Sequence, residues 1–215
     1  MNGFNKRSTS IKQKILSSSA DLLASQGVKK TSISQISKKA EVSPVTIYNY
    51  FGSKTGLVTE TVKYLAIQKL EEAEKLLNGR RPYLERLAEL VFLKSSNLNR
   101  YHPELLKEMA ATKDPELKEY LEGQVYPEAM KAFNGFLEEG KASGYIRPEL
   151  SARSIQIFTD MFKHLSSSYP QIYNNSPENH QLINEIWRMY LYGLMGQETH
   201  PELFSVSRPR AEERD

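Results

Sequence analysis

Cysteine is absent from the 215 residues, so neither a disulfide nor thiolate chemistry is available, a composition suited to a reducing cytosol. Long apolar runs are missing as well. The longest fully apolar run is Leu90-Val91-Phe92-Leu93, against the roughly 20 residues that a membrane-spanning helix needs. Lys6 and Arg7 are followed by no apolar stretch of the secretory kind, and the expected location is cytoplasmic, with no membrane partner. His102, His164, His180 and His200 are scattered, without a His-Glu-x-x-His spacing, which excludes the usual metal sites. No Gly-x-Ser-x-Gly elbow occurs. The adjacent carboxylates Glu138-Glu139 and Glu212-Glu213 point in different directions on a helix and read as solvated surface. The chain is therefore expected not to be an enzyme and to carry no cofactor. Period-two alternation never lasts beyond a few residues, so strands are not expected either.

What is present is charge of one sign gathered at one end. The whole chain carries a formal +3, but residues 1–54 hold nine Lys or Arg against Asp21 and Glu41, a net +7. A compact basic head on a mildly acidic body is the layout of a polyanion reader carried by a separate body, though such asymmetry also arises without function.

Helical periodicity runs almost throughout. Ile15, Leu16, Ser19, Leu22 and Leu23 fall on one face of a first helix, which Gly27 stops. Ser32 with Gln35 forms a capping-box pattern that opens a second, short helix ending near Ala40. Ser43-Pro44 opens a third, with Ser as N-cap and Pro at the first helical position, and Gly52 closes it. Ser53 caps a long fourth helix reaching about Leu77. Asn78 to Pro82 is a break. Further helices are expected over 83–98, 103–112, 115–142, 151–168 and 178–195, the third of these kinked or divided at Pro127. The expected fold is all-α with about nine helices. Residues 1–54 form a head, 55–198 a helical regulatory and dimerisation body, and 199–215 a flexible tail.

The stretch Ser43–Gly56 ends in Gly-Ser-Lys-Thr-Gly, which resembles the end of a phosphate-binding loop. That loop needs a strand upstream and Gly-x-x-x-x-Gly-Lys-Ser/Thr. Here Ser53 precedes Lys54, Asn49 takes the place of the first glycine, and the upstream segment is helical, so the nucleotide reading fails. The alternative is a helix-turn-helix. Helices over 32–40 and 43–51, joined at Glu41-Val42, share a small core of Ile36, Ala40, Val42, Ile47 and Phe51, and the second enters a major groove by its N-terminal end. Val45, Thr46, Tyr48 and Asn49 are then left facing outward. Thr46 and Asn49 can bond base edges or phosphates, and Val45 can touch a thymine methyl. Tyr48 and Tyr50 can reach phosphates through their hydroxyls. Lys54 at the start of the fourth helix offers a phosphate clamp.

On these residues, from Ile15-Leu16 through Thr31–Ala40, the run Val42–Phe51 and Ser53-Lys54 to Leu57, the head resembles that of the tetracycline-repressor (TetR) family of bacterial regulators. The resemblance implies DNA contact by Ser43, Pro44, Val45, Thr46, Tyr48, Asn49, Tyr50 and Lys54, phosphate contact by Ser32 or Ser34, and an N-terminal arm of Lys6, Arg7 and Lys12. One residue departs from the family pattern. Glu41 stands at a turn position usually held by glycine, where a positive φ would strain it by about 1 kcal/mol.

For the body, the resemblance implies a homodimer built on a four-helix interface. The last two helices carry stripes too broad for one neighbour, and the interface candidates are Ile155, Phe158, Phe162, Leu165, Ile183, Ile186, Trp187, Tyr190, Leu191 and Leu194. It also implies a pocket for an unknown small-molecule inducer. Its lining candidates are Phe92, Tyr101, His102, Met109, Tyr120, Tyr126, Met130, Phe133, Phe158, Met161, Phe162 and His164. Both sets also fit an ordinary core. The functional expectation is a dimeric repressor of a palindromic double-stranded operator, released by its ligand. The alternative is a protein of the same fold that has lost DNA binding and docks a protein partner, to which the charge of Glu41 lends weight.

Overall fold

The structure, a computed structural model, describes residues 3–110, 112–158, 161, 169 and 176–196, and for 3–7, 91–99 and 110 the backbone alone. Among the described residues the regular structure is entirely helical. In chain order the elements are α1 (Gly3–Lys30), α2 (Ile33–Ala40), α3 (Pro44–Phe51), α4 (Lys54–Leu77), α5 (Tyr83–Arg100), α6 (Pro103–Ala110), α7 (Pro115–Tyr120), a π-helical turn (Leu121–Val125), α8 (Tyr126–Ala142) and α10 (Pro177–Met195). Between the last two lies a helical segment at residues 152–158, α9. No described helix is long and apolar enough to cross a membrane.

Three cores stack along α4, which at about 1.5 Å per residue is roughly 36 Å long. The head core joins Ile15, Leu16, Ile36, Ala40, Ile47 and Phe51 to Leu57. The middle core joins Ala20 and Leu23 of α1 and Leu105, Leu106 and Leu117 of α6 and α7 to Val62 and Leu65. The distal core joins α5, α8, α9 and α10 to Leu76 and Leu77. Leu57 thus lies in the head core, three residues past the expected boundary at 54.

The expected stop at Gly27 is a break inside α1. Gly27 adopts φ 81° and ψ 172°, and the chain winds on to Lys30. The break leaves the Ala24 carbonyl without its helical donor, and the His102 amide fills that role at 2.7 Å. The Glu104 carboxylate in turn accepts from the Lys29 amide at 3.1 Å. The start of α6 therefore caps both sides of the break, and a sequence scan of α1 alone carries no sign of it. Gly27 is buried, and a Cβ there would stand 2.5 Å from His102 Nδ1 and 2.9 Å from Glu104 Oε2.

Pro127 divides its helix by a wider turn. The Tyr126 amide bonds to the Leu121 carbonyl, five residues back. A proline cannot donate, and its ring crowds the carbonyl four residues back; the π turn re-registers the ladder just ahead of it. Arg86, only 3% exposed, ties α4, α5 and α8 together. It donates to the carbonyls of Leu77 and, at 2.9 Å, Arg81, pairs with Glu139, and lies over the rings of Tyr83 and Phe136. A buried guanidinium is tolerated when each of its three nitrogens finds an acceptor in this way.

The body corrects several expectations. Ile155, Ile183, Tyr190, Leu191 and Leu194 are buried in their own subunit's core and so cannot face a second one. Phe158 stacks on Tyr190 with centroids 5.2 Å apart, and Trp187 meets that ring edge-on; Ile186 is half-buried. The apolar side chains left outside are Ile157 (54% exposed), Met161 (63%), Leu182 (41%) and Met189 (62%).

The pocket candidates disperse in the same way. Tyr101 and Met130 are core residues, while Met161 is exposed. His102 is engaged at the α1 break, and Tyr120 lies under the Lys63 ammonium. Met109, Tyr126 and Phe133 are half-buried. An apolar cavity with room for about one water molecule does open between α5, α8 and α10, but only Phe133 of the candidates lines it, beside Tyr83, Leu87, Phe136 and Trp187. The Phe92 side chain, Phe162, His164, Leu165 and the tail from 199 lie outside the described residues, as do the side chains of Lys6 and Arg7.

Two outcomes follow from the α1–α6 junction. Gly27→Ala will lower the unfolding free energy by about 1–3 kcal/mol, measured by denaturant titration; an unchanged midpoint contradicts the clash. The amide of Lys29, then its ammonium and His102, holds the Glu104 carboxyl below its ordinary 4.5. Its stabilising contribution is present above that ordinary value and is lost as pH falls through the lowered folded value. Glu104→Gln will therefore flatten the acid limb of stability against pH below about pH 4.5, and an unaltered limb contradicts the assignment.

Candidate nucleic-acid interface

The head is assembled from its caps. Ser32 completes the capping box: its hydroxyl accepts from the Gln35 amide at 3.2 Å, and its own amide donates to Gln35 Oε1 at 2.7 Å. Ser43 caps α3, accepting from the Thr46 amide at 3.0 Å with Pro44 in the first turn. Ser53 caps α4, accepting from the Gly56 amide at 3.0 Å. Gly56 is also required for space, since a Cβ there would lie 2.3 Å from the Phe51 carbonyl oxygen. The two glycines that suggested a phosphate loop are thus a helix stop and a close approach.

Glu41 does hold the left-handed conformation, φ 52° and ψ 44°, and is the one non-glycine with positive φ among the described residues. Its amide and that of Val42 close the α2 end on the Lys38 and Ser37 carbonyls. Its carboxylate bonds and pairs with the Lys14 ammonium, which holds the Glu41 carboxyl below the usual carboxylate range. The acid at the turn is therefore drawn back to α1 and neutralised there.

With Ile47 fully buried and Phe51 8% exposed, the opposite face of α3 is open. Ser43, Pro44, Val45, Tyr48 and Asn49 are exposed, Val45 at 65% and Tyr48 at 49%. Two expected readers are engaged within the protein. The half-buried Thr46 shares a 2.8 Å hydroxyl contact with Ser43, and the Tyr50 hydroxyl lies 3.0 Å from that of Ser8 on α1. Ser34 is exposed in the first turn of α2.

The basic residues divide likewise. Lys12 pairs with Glu60 at 3.0 Å, Lys39 with Asp21 at 2.9 Å, and Lys29 with Glu104 at 3.8 Å. Among the described residues Lys30, Lys38 and Lys54 have no ion pair, and Lys54 sits at the first residue of α4, where unpaired amides favour an anion. Lys12, expected in an arm, is instead held on the body of α1. The pairing that separates these lysines depends on three-dimensional neighbours and has no sequence signature.

With this geometry in view, residues 15–61 match the model of the bacterial regulatory proteins of the tetR family. A 67-residue stretch is 34% identical to an uncharacterised HTH-type transcriptional regulator, YvdT, of Bacillus subtilis (strain 168), covering 31% of this chain and 34% of the relative's length. The whole fold is similar to the transcriptional regulator FadR from Bacillus subtilis, crystallised in complex with stearoyl-CoA, at TM-score 0.60 and 21% identity over 85% of this chain and 98% of that one. It is also similar to the ketosteroid transcriptional regulator KstR2 of Mycobacterium tuberculosis, at TM-score 0.53 and 21% identity over 86% and 95% of the two chains.

Glu41→Gly will raise the thermal unfolding midpoint, because glycine relieves the left-handed strain and an exposed ion pair contributes little. A lowered midpoint in a melt at moderate salt contradicts that balance.

Proposed function

We propose that this chain, a member of the TetR family of bacterial transcriptional regulators, is a homodimeric repressor that holds a palindromic operator through α3 of each subunit and releases it when a small apolar effector enters its helical body. The observation that carries the reading is the division of α3 into a sealed face, Ile47 and Phe51, and an open face, Val45, Tyr48 and Asn49, beside Lys54 at a helix N-terminus. A helix held this way can enter the major groove while neighbouring amides and ammonium groups contact phosphates.

One α3 reads only a few base pairs, so useful specificity calls for two heads on a fixed frame. Leu182, Ile186 and Met189 recur on α10 at helical spacing, Ile157 and Met161 are exposed as well, and these side chains are the surface we assign to the second subunit. The aromatic interior between α5, α8 and α10 suits an apolar effector, as does the likeness in fold to a regulator solved with stearoyl-CoA. Release is then a population shift: the effector favours body conformations whose heads are wrongly spaced. Nothing favours the partner-docking alternative, since the Glu41 charge that suggested it is paired with Lys14.

The test is fluorescence anisotropy with the duplex upstream of the protein's own gene, across a salt series. Binding should weaken steeply with salt; no binding at low salt contradicts the proposal. Tyr48→Ala will cost about 1–3 kcal/mol of operator affinity with fold and dimer intact. Lys54→Ala will weaken all sequences alike and make the salt slope shallower by about one unit; loss at a single operator position contradicts the phosphate role. Met189→Asp will shift the protein toward monomer in sedimentation, and an unchanged dimer moves the interface elsewhere.

A further inference from the structure

We infer that direct base reading by this protein is confined to Val45 and Asn49 and is specific for A·T pairs: Val45 packs on a thymine methyl, and the Asn49 amide grips an adenine. The inference rests on the DNA-binding reading above and goes beyond it by naming the chemistry of the bases.

The open face of α3 lacks the side chains that most often read G·C pairs. The helix reads Pro44-Val45-Thr46-Ile47-Tyr48-Asn49-Tyr50-Phe51, with no Arg, Lys or Gln. Guanine is read most often by Arg or Lys through its O6 and N7, and cytosine by a carboxylate that accepts from its N4 amino group. The helix holds no carboxylate either, and the nearest acid, Glu41 at the turn, is turned back toward Lys14 on α1.

The small hydroxyls are also withdrawn. Ser43 Oγ accepts from the Thr46 amide, and the two hydroxyls bond each other at 2.8 Å. Tyr50 is tied to Ser8. Pro44, which can neither donate nor accept through its side chain, Val45, Tyr48 and Asn49 remain exposed, the last three at i, i+3 and i+4 on one stripe. The phenol of Tyr48 reaches outward to phosphate. The Asn49 amide has no hydrogen-bond partner among the described residues, and a free asparagine amide matches adenine N6 and N7 bidentately. The Val45 side chain, 65% exposed, gives a methyl surface to the C5-methyl of thymine. Four residues of helix separate the two readers by about 6 Å along the axis. With about 3.4 Å between base pairs, they address pairs one or two steps apart in the same half-site.

The experiment has two stages and uses the full chain. Selection from a random duplex library should yield half-sites whose core holds two A·T pairs one or two steps apart. In the selected site, deoxyuridine is then placed for each thymine in turn, and 7-deazaadenine for each adenine. One deoxyuridine should weaken wild-type binding severalfold and leave Val45→Ala indifferent. One 7-deazaadenine should weaken wild type by roughly 5- to 100-fold and leave Asn49→Ala indifferent. Both variants should keep wild-type circular dichroism and low-salt affinity for unrelated duplex, which separates lost reading from lost folding. A core of G·C pairs, or indifference of the wild type to every analogue, overturns the inference while the DNA-binding reading stands. Failure to bind any duplex at low salt overturns both.

Discussion

The structure depends on one packing decision, the sealing of Ile47 and Phe51 beneath α1, α2 and α4. Ile47 is wholly buried and Phe51 nearly so, each contributing about 1.5–3 kcal/mol of apolar burial. Two inward residues on an eight-residue helix leave only one stripe for everything else. The caps that start and stop α3, Ser43 and Gly52, set its length so that the stripe holds Val45, Tyr48 and Asn49. Reading ability is therefore a by-product of how the head closes its core. The same closure explains why the hydroxyls of Thr46 and Tyr50, nominally outward, are drawn back into contacts with Ser43 and Ser8.

The head is held to the body in two places of different character. One is continuous: α4 contributes Leu57 to the head core, Val62 and Leu65 to the middle core, and Leu76 and Leu77 to the distal core. A rod that belongs to three cores carries displacement in one to the others. The other is polar: of the backbone groups freed at Gly27, the Ala24 carbonyl and the Lys29 amide are met by His102 and Glu104 of the body. Within the body, Thr59 on α4 donates to Asp114 at 2.7 Å, the cap of α7, and this bond holds the Asp114 carboxyl below the usual range.

Much of this was legible in the residues. The capping box at Ser32, the Ser-Pro start of α3 and the glycine stop at Gly52 are local devices, and each sits where the pattern placed it. The positive φ of Glu41 was suggested only by the family resemblance, in which glycine usually holds that turn. The shared core of Ile36, Ala40, Ile47 and Phe51 was legible too; what failed lay where a helix is apolar on more than one face or waits for a partner from far along the chain. Which face of α10 is inward cannot be read from a helix apolar on both sides, and the buried Tyr190 and Leu191 were assigned outward for that reason. The role of Arg86 was invisible, since its partners Leu77, Arg81 and Glu139 belong to other parts of the chain. Gly27 was legible as a stop, but that the chain winds on to Lys30, with α6 capping the break, was not.

Charge gave a signal that the structure refines. The head's excess of lysines looked uniform, yet Lys12, Lys14, Lys29 and Lys39 are paired with acids, two of which, Glu60 and Glu104, lie past residue 54. Among the described residues the cations left over, Lys30, Lys38 and Lys54, have a field to offer a polyanion. The measurement that tests the central claim most directly is side-chain radical footprinting of the free protein and of its complex with operator duplex. The account predicts that Tyr48 and Val45 are reactive when free and protected when bound, with Ile47 and Phe51 silent in both states. Reactive Ile47 or Phe51 in the free protein, or unprotected Tyr48 in the complex, would contradict it.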